Sequence, residues 1–205
     1  MEPVEAVKRG YDQIAAAYLA ERNRPSTDLA QLDEFERLVP PGSQVLDLGC
    51  GAGRPVLARL ARQYRVTGLD FSESQLALAR QLVPEAELVQ ADMVRADLGE
   101  AQWHGIVSFY ALIHVPREHH RRLLQKVLQA LAPRGIALLC LGANDLEADW
   151  DDYHGATMFW SHFDTDTYLR MIDEVGFERL RYEEVVDDSY PEGRHLFVLL
   201  SKGSP

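Results

Sequence analysis

A glycine-rich turn is the first part of this sequence whose residue types and spacing could do chemistry. The apolar run Gln44–Leu48 leads into glycines at alternate positions, Gly49, Gly51 and Gly53. Glycine between a strand and a helix lets the backbone approach a ligand closely. A dinucleotide-binding G-x-G-x-x-G fingerprint would need glycine at position 54, where the chain has Arg54. The turn therefore predicts a ligand site of another kind, with the carboxylate of Asp47 two residues before its first glycine.

Two further aspartates stand at the ends of apolar runs. Asp70 closes the run 65–70, and Asp92 follows the run 87–91. Because the carboxyl ends of parallel strands meet at one edge of a sheet, we expect both carboxylates to lie beside the glycine turn. A carboxylate at the end of the second strand can accept both hydroxyls of a ribose. Aspartate is also a common turn residue, and for either position alone that explanation carries equal weight.

The elements that would position these groups alternate along the chain. Short apolar runs are followed by helical stripes, which predicts one α/β domain over residues 1–205. Its sheet is expected to be doubly wound and mostly parallel, with helices on both faces. Two helices precede the first strand within segment 1–40, and runs 179–186 and 194–201 form a closing hairpin. The segment 142–164 is predicted to be a long loop that packs over something, because it is rich in large aromatic residues.

Composition excludes several classes of protein. Lys and Arg number 21 against 32 Asp and Glu, a net charge of −11, which disfavours broad binding of a nucleic-acid backbone. No run is long and apolar enough for a membrane span, and the charged N-terminus does not resemble a secretory signal, so we expect a cytoplasmic location. Cys50 and Cys140 have neither disulfide-framework nor metal-ligand spacing and are predicted to be buried free thiols. No metal site is expected.

The glycine turn, the aspartates and the order of the elements resemble those of the class I S-adenosylmethionine-dependent methyltransferases. The resemblance extends over nearly the whole length of the chain. Six segments carry the resemblance: YDQIAAAY (11–18), VLDLGCGAG (45–53), GLDFS (68–72), QADM (90–93), SFYALIHVP (108–116) and LAPRGIALL (131–139). The first is similar to the lid helix of small-molecule methyltransferases, and the next three to the cofactor-binding motifs. The resemblance implies a seven-stranded sheet of order 3-2-1-4-5-7-6, with strand 7 antiparallel.

The resemblance also implies a cofactor, S-adenosyl-L-methionine, which leaves as S-adenosyl-L-homocysteine. It assigns cofactor-binding roles to matching positions: Asp47, Gly49 and Gly51 to the methionine moiety, Asp70 to the ribose, Asp92 to the adenine amino group, Phe71 and Met93 to packing against the adenine, and Tyr11 and Tyr18 to closure over the amino-acid end. For the two tyrosines, ordinary core contacts are an equal alternative. The N-terminal helices and the aromatic loop 142–164 would then form a lid around the acceptor.

Candidate catalytic residues come from the loop after the fourth strand and from the aromatic loop. Tyr110 and His114 would meet the acceptor, and His114 is the first candidate for a general base because histidine titrates near neutral pH. A histidine that orients a loop or the cofactor is an equal alternative. His162 is the second candidate base. His119 and His120 lie among arginines and indicate a solvated helix face.

The expected function is methyl transfer to a nucleophilic O, N or S atom of a small molecule. Acidic residues between positions 145 and 152 could attract a cationic amine, although such a run is usually a solvated loop. Two rival functions stay open: a protein or nucleic-acid methyltransferase, and a protein that binds the cofactor without catalysis. A nicotinamide-dependent oxidoreductase is disfavoured by Arg54. The sequence does not indicate the oligomeric state.

Overall fold

A computed structural model describes residues 2–23, 27–186 and 193–203 of the chain. The nine strands in these ranges are β1 (Gln44–Leu48), β2 (Arg65–Asp70), β3 (Glu87–Gln90), β4 (Trp103–Ser108), β5 (Leu131–Gly142), β6 (Leu146–Tyr153), β7 (Ala156–His162), β8 (Glu178–Val186) and β9 (Arg194–Ser201). The six α-helices are α1 (Pro3–Arg22), α2 (Gln31–Leu38), α3 (Val56–Leu60), α4 (Glu73–Leu82), α5 (His120–Ala130) and α6 (Thr165–Val175).

Seven strands form one sheet in the order β3-β2-β1-β4-β5-β9-β8. Neighbouring strands in this sheet are parallel, except that β9 runs antiparallel to both β5 and β8. Counted within this sheet alone, the order is 3-2-1-4-5-7-6 with strand 7 antiparallel, so the predicted fold is confirmed. The order reverses between β1 and β4, the position at which open α/β sheets bind ligands.

Helices cover both faces of the sheet because the central strands are apolar on both sides. Helices α2, α3 and α4 bury one core, which includes Phe35 and Val45. Helices α5 and α6 bury the other, which includes Leu46 and Tyr168. The two cysteines are free and buried, as predicted. In the described part of the chain, no helix combines the length and the apolar character that a bilayer crossing requires.

The prediction of a long loop over 142–164 is wrong for most of that segment, because β6 and β7 form an antiparallel hairpin. The turn between them uses His154 at φ 55° and Gly155 at φ 83°. Two successive residues with positive φ match the twist of a two-residue hairpin. A half-buried strand usually shows alternating apolar and polar residues. Strand β6 does not, because its residues are exposed or only partly buried and include four acidic side chains.

Helix α1 packs on this hairpin and forms a third apolar cluster, separate from the two sheet cores. The approach is close at Gly10, where a Cβ atom would lie 2.6 Å from the sulfur of Met158. At the end of the helix, the Tyr153 hydroxyl donates to Glu21 across 2.8 Å. The helix and the hairpin therefore form one cover over the carboxyl edge of the sheet.

The prediction that His120 lies on a solvated face is also wrong. The helix expected from Pro116 begins at His120, after a 3₁₀ turn over Arg117–His119, and this shift turns the ring inward. Nε2 of the buried ring donates to the carbonyl of Val115 (2.8 Å), and Nδ1 accepts from the Tyr168 hydroxyl (2.6 Å). Burial lowers the pKa of His120 to about 4.

Acidification is expected to destabilise the protein partly through His120. Its pKa of about 4 in the folded state lies below the 6.5 of an ordinary histidine, so unfolding takes up a proton. The contribution of neutral His120 is complete above pH 6.5 and is lost as the pH falls toward 4, by up to roughly 3 kcal/mol. Urea unfolding at about pH 7 and pH 4.5 measures this loss.

The variant His120→Gln cannot titrate and is expected to be less stable at pH 7, yet to lose less stability on acidification than the wild type. His104→Gln is the matched control, because the His104 side chain on β4 is exposed. Equal acid sensitivity in His120→Gln and the wild type would contradict the prediction.

Candidate functional site

A cleft of about 620 Å³ lies at the carboxyl edge of β1 to β4, and we call it the sheet-edge cleft. Eight of the nine residues that the resemblance assigns to the cofactor line it: Tyr11, Tyr18, Gly49, Gly51, Asp70, Phe71, Asp92 and Met93. The ninth, Asp47, lines a smaller adjoining cleft together with Tyr18 and both glycines. The fold therefore brings together residues that are spread over more than eighty positions of the chain.

The glycine turn has the geometry that its sequence predicts. Gly49 has φ 78°, and a Cβ atom there would collide with the side chain of Ala111. Its N–H donates to the carbonyl of Leu69 (2.7 Å), which joins the end of β1 to β2. Gly51 also has positive φ, at 54°, and it faces the cleft. The backbone of the turn is consequently exposed to a ligand.

Asp70 holds the glycine turn against the start of α4. Its two carboxylate oxygens accept the N–H groups of Gly51 and Ser72, both at 2.9 Å. Burial raises the pKa of Asp70 to about 6, against the opposing effect of these hydrogen bonds. A carboxylate has about four acceptor positions, so capacity for ligand hydroxyls remains.

Asp47 is a buried carboxylate that lacks a full set of partners. It is 2% exposed, and its Oδ2 atom bonds to none of the described residues. Burial and the nearby charge of Asp70 raise its pKa to about 8. The same small cleft is lined by Arg22, whose guanidinium pairs with Asp28 at 2.9 Å. One carboxylate and one guanidinium thus face a common space.

Gln75 is a site residue that the sequence analysis missed. The pattern Ser72-Glu73-Ser74-Gln75 indicates a helix cap, and the Gln75 N–H does donate to Ser72 Oγ (3.1 Å). The Gln75 side chain, however, lines the sheet-edge cleft, is 1% exposed, and has no partner for either polar atom among the described residues. An amide buried in this way costs free energy unless a ligand bonds to it.

A hydrogen bond between Tyr11, which is half-buried, and the buried His114 links α1 to the turn after β4. Nδ1 of His114 lies 2.7 Å from the carbonyl oxygen of Phe159, and Nε2 lies 2.9 Å from the Tyr11 hydroxyl. A carbonyl only accepts, so Nδ1 carries the proton and Nε2 accepts from Tyr11. Burial lowers the pKa of His114 to about 4. His114 is therefore neutral at pH 7, with both ring nitrogens engaged.

A second and larger cleft of about 1130 Å³, the hairpin cleft, lies between α1, the β6–β7 hairpin and the start of β9. It contains all three predicted catalytic residues, Tyr110, His114 and His162. Four residues line both large clefts: Tyr11, Tyr18, Tyr110 and His114. The two clefts consequently adjoin along these side chains.

Unlike His114, His162 has one ring nitrogen that is not hydrogen-bonded to a described residue. Its ring is 7% exposed, and Nδ1 lies 2.6 Å from the carbonyl of Asn144, so Nδ1 carries the proton. Nε2 has no partner among the described residues, and the ring lines the hairpin cleft. Burial and the neighbouring His195 lower the pKa of His162, so its free lone pair is available at neutral pH.

Tyr110 occupies the junction in a strained conformation, with φ 55°. Its ring lies 4.7 Å from the Arg22 guanidinium and 4.9 Å, edge to face, from His195. Tyr153 belongs to the aromatic-rich segment that the sequence predicted to pack over the acceptor. Arg22 and His195 were not singled out; the end of a helical stripe could have indicated Arg22, but no local pattern indicates His195. Within the described ranges, no group of three or more His, Cys, Asp or Glu side chains is arranged to hold a metal ion.

The comparisons with known proteins agree with this site. Residues 45–135 match the family model of the methyltransferase domain, which spans β1 to the first part of β5 and includes the glycine turn, Asp70 and Asp92. The matched segment is 91 of 205 residues, a little under half of the chain. This match and the sheet order with its antiparallel β9 show that the chain is similar to the methyltransferase domain.

Two curated relatives share only part of their length with this chain. It is 34% identical over 110 residues to the 2-phytyl-1,4-naphtoquinone methyltransferase of Thermosynechococcus vestitus, a match that covers 49% of this chain and 47% of that protein. It is 32% identical over 130 residues to the trans-aconitate 2-methyltransferase of Variovorax paradoxus, covering 62% and 48%. The chain thus spans about half the length of these relatives.

A solved structure shares the fold over a greater length. The 1,6-didemethyltoxoflavin-N1-methyltransferase of Burkholderia thailandensis, crystallised with 1,6-didemethyltoxoflavin and S-adenosylhomocysteine, superimposes with a TM-score of 0.69. The match covers 100% of this chain and 92% of that one at 20% identity, and it supports the fold alone.

The tautomer of His114 can be checked by ¹⁵N NMR of the imidazole nitrogens. We expect the Nδ1–H form in the wild type at pH 7. Tyr11→Phe should raise the pKa of His114, because the lost O–H donation favours the neutral ring, and should cost about 1 kcal/mol of stability. Tyr182→Phe, at an exposed position, is the control. An Nε2–H signal for wild-type His114 would refute the assignment.

Proposed function

We propose that this protein transfers a methyl group from S-adenosyl-L-methionine to a nucleophilic O, N or S atom of a small molecule. The observation that carries the proposal is a set of buried polar atoms, Asp47 Oδ2 and the Gln75 side-chain amide, that lack partners among the described residues and lie beside an exposed glycine turn. Buried polar groups without partners are costly, and a ligand that bonds to them removes the cost.

The chemistry of the clefts fits the parts of this cofactor. The free oxygen of Asp47 and the guanidinium of Arg22 suit the ammonium and the carboxylate of an amino acid. Asp70 and the Gln75 amide offer acceptors and a donor to the ribose hydroxyls. The adenine would pack between Phe71 and Met93, with Asp92 as acceptor for its amino group, since these side chains line the far end of the sheet-edge cleft.

When bound, S-adenosylmethionine supplies a methyl group on a sulfonium, which an aligned nucleophile can displace. The residues at the junction of the two clefts would exclude water and align the acceptor, a contribution worth up to roughly 7–11 kcal/mol of barrier reduction in well-positioned systems. Tyr11, Tyr18 and Tyr110 are suited to this role because they line both clefts. The cover formed by α1 and the hairpin would act as the lid.

We propose His162 as the general base for acceptors that carry a proton, and His114 as the residue that orients Tyr11. A base needs a free lone pair within reach of the acceptor. His162 has one on Nε2, whereas both nitrogens of His114 are bonded. This reverses the order in which the sequence ranked the two histidines.

The partner in this proposal is a small-molecule acceptor in the cytoplasm. The net charge of −11 and the acidic wall of the hairpin cleft disfavour nucleic acid. Pocket residues from α1, the β4 turn, the hairpin and β9 enclose the acceptor space, which suits a compact molecule better than a polymer.

Calorimetric titration with S-adenosylhomocysteine tests the cofactor assignment. Near-stoichiometric binding is expected, with none for NADH. Gln75→Leu should lower the affinity about tenfold and yet raise the stability of the ligand-free protein by about 1 kcal/mol, because it removes buried atoms without partners. Gln81→Leu, on the exposed side of the same helix, should change neither quantity. A wild type that is folded, ligand-free and unable to bind would refute the proposal.

Single-turnover and steady-state kinetics separate the two histidines once a screen for donor consumption has given an acceptor. His162→Gln should lower kcat by about 10²–10⁴-fold and leave the affinity for S-adenosylhomocysteine within about twofold. His114→Gln should weaken cofactor binding and turnover together, because it releases Tyr11. If His114→Gln abolished kcat without changing the cofactor affinity, His114 and not His162 would be the general base.

A further inference from the structure

The hairpin cleft has an aromatic wall of an unusual kind. Five side chains form a closed circuit of ring contacts, which we call the aromatic belt: Tyr11, Tyr18, Tyr153, Trp160 and His114. Neighbouring centroids lie between 5.1 and 6.3 Å apart. All five rings line the cleft. The faces of tyrosine and tryptophan rings attract organic cations.

Carboxylates line the same cleft: Glu21, Asp149, Asp151 and Asp152. The strand register places Asp149 directly opposite Trp160, so this carboxylate and the belt share one face of the hairpin. The two arginines of the cleft offset little of this charge. Arg22 also lines the small cleft beside Asp47, where the proposed function assigns it to the cofactor, and it pairs with the buried Asp28; Arg194 lies at the exposed start of β9. The cleft is therefore negative on balance.

Two of the imidazoles that line the cleft add acceptors rather than positive charge. His114 and His162 each donate from Nδ1 to a backbone carbonyl, and each is neutral at pH 7. The free Nε2 of His162, on a side chain 93% buried, accepts hydrogen bonds. A cleft of carboxylates, ring faces and an imidazole lone pair is complementary to a cationic donor, and it gives an anion few donors.

We propose that the acceptor is an organic ammonium, a primary or secondary amine carried on an apolar or aromatic body. The inference rests on the proposed function and narrows it to transfer to nitrogen. The body packs on the aromatic belt, and the charged nitrogen lies between Asp149 and His162. The negative wall also offsets the repulsion between this cation and the sulfonium in the adjoining cleft.

The proton balance follows from the same residues. The ammonium gives one proton to Nε2 of His162, which becomes an imidazolium, and this leaves a lone pair on the nitrogen. That lone pair forms the bond to the methyl carbon while the carbon–sulfur bond breaks and its electron pair stays on sulfur. The imidazolium later returns its proton to water.

Three probes with similar bodies and different charge test the inference: phenethylamine, 2-phenylethanol and 3-phenylpropionate. Each is titrated calorimetrically into the full chain, with and without saturating S-adenosylhomocysteine. Phenethylamine is expected to bind at least tenfold more tightly than the alcohol, and the carboxylate least of all. Equal binding of alcohol and amine, tighter binding of the carboxylate, or no binding of any probe at millimolar concentration would overturn the inference.

The double variant Asp149→Asn/Asp151→Asn should weaken phenethylamine binding about tenfold and leave 2-phenylethanol unchanged. Glu147→Gln is the matched control, since Glu147 is on the same strand, faces Arg117 and does not line the cleft. Undiminished amine binding in the double variant would also overturn the inference. If S-adenosylhomocysteine itself fails to bind, the proposed function falls; if it binds and the amine does not, only the acceptor class falls.

Discussion

The buried carboxylate of Asp70 is the interaction on which the site depends. It accepts N–H groups from Gly51 in the turn after β1 and from Ser72 at the start of α4, and so joins two loops at the carboxyl edge of the sheet. Ser72 in turn donates from its hydroxyl to Asp12 on α1 (2.6 Å). The N-terminal helix is therefore anchored to the same aspartate network that shapes the glycine turn, and its position follows from that of the sheet.

A second set of hydrogen bonds completes the cover. The Tyr11 hydroxyl donates to His114, and His114 donates to the carbonyl of Phe159 in the hairpin. The imidazole of His114 thus links the helix, the turn and the hairpin, and burial favours its neutral form. Because Tyr11 and His114 line both large clefts, this link lies on the boundary between them, which is where the proposed methyl transfer would take place.

The site retains polar groups that have no hydrogen-bond partner within the described part of the chain. Asp47 and Gln75 are buried beside the exposed backbone of Gly51. The folded protein would be more stable if each were apolar or had a hydrogen-bond partner. Elsewhere in the described core, buried polar side chains such as His120 and Ser108 are bonded. Buried polar groups therefore lack partners where a ligand could supply them, which is the pattern expected of a functional site.

The sequence by itself determined the fold and most of the residues that line the sheet-edge cleft. Strands, the glycine turn and the terminal aspartates are local features, and parallel strands bring their ends to one edge whatever the loops do. It did not reveal the β6–β7 hairpin, because the acidic strand β6 lacks an apolar alternation, nor the buried state of His120. Only the tertiary structure decided the role of His114, because its two partners lie 103 and 45 positions away and set both its tautomer and its charge.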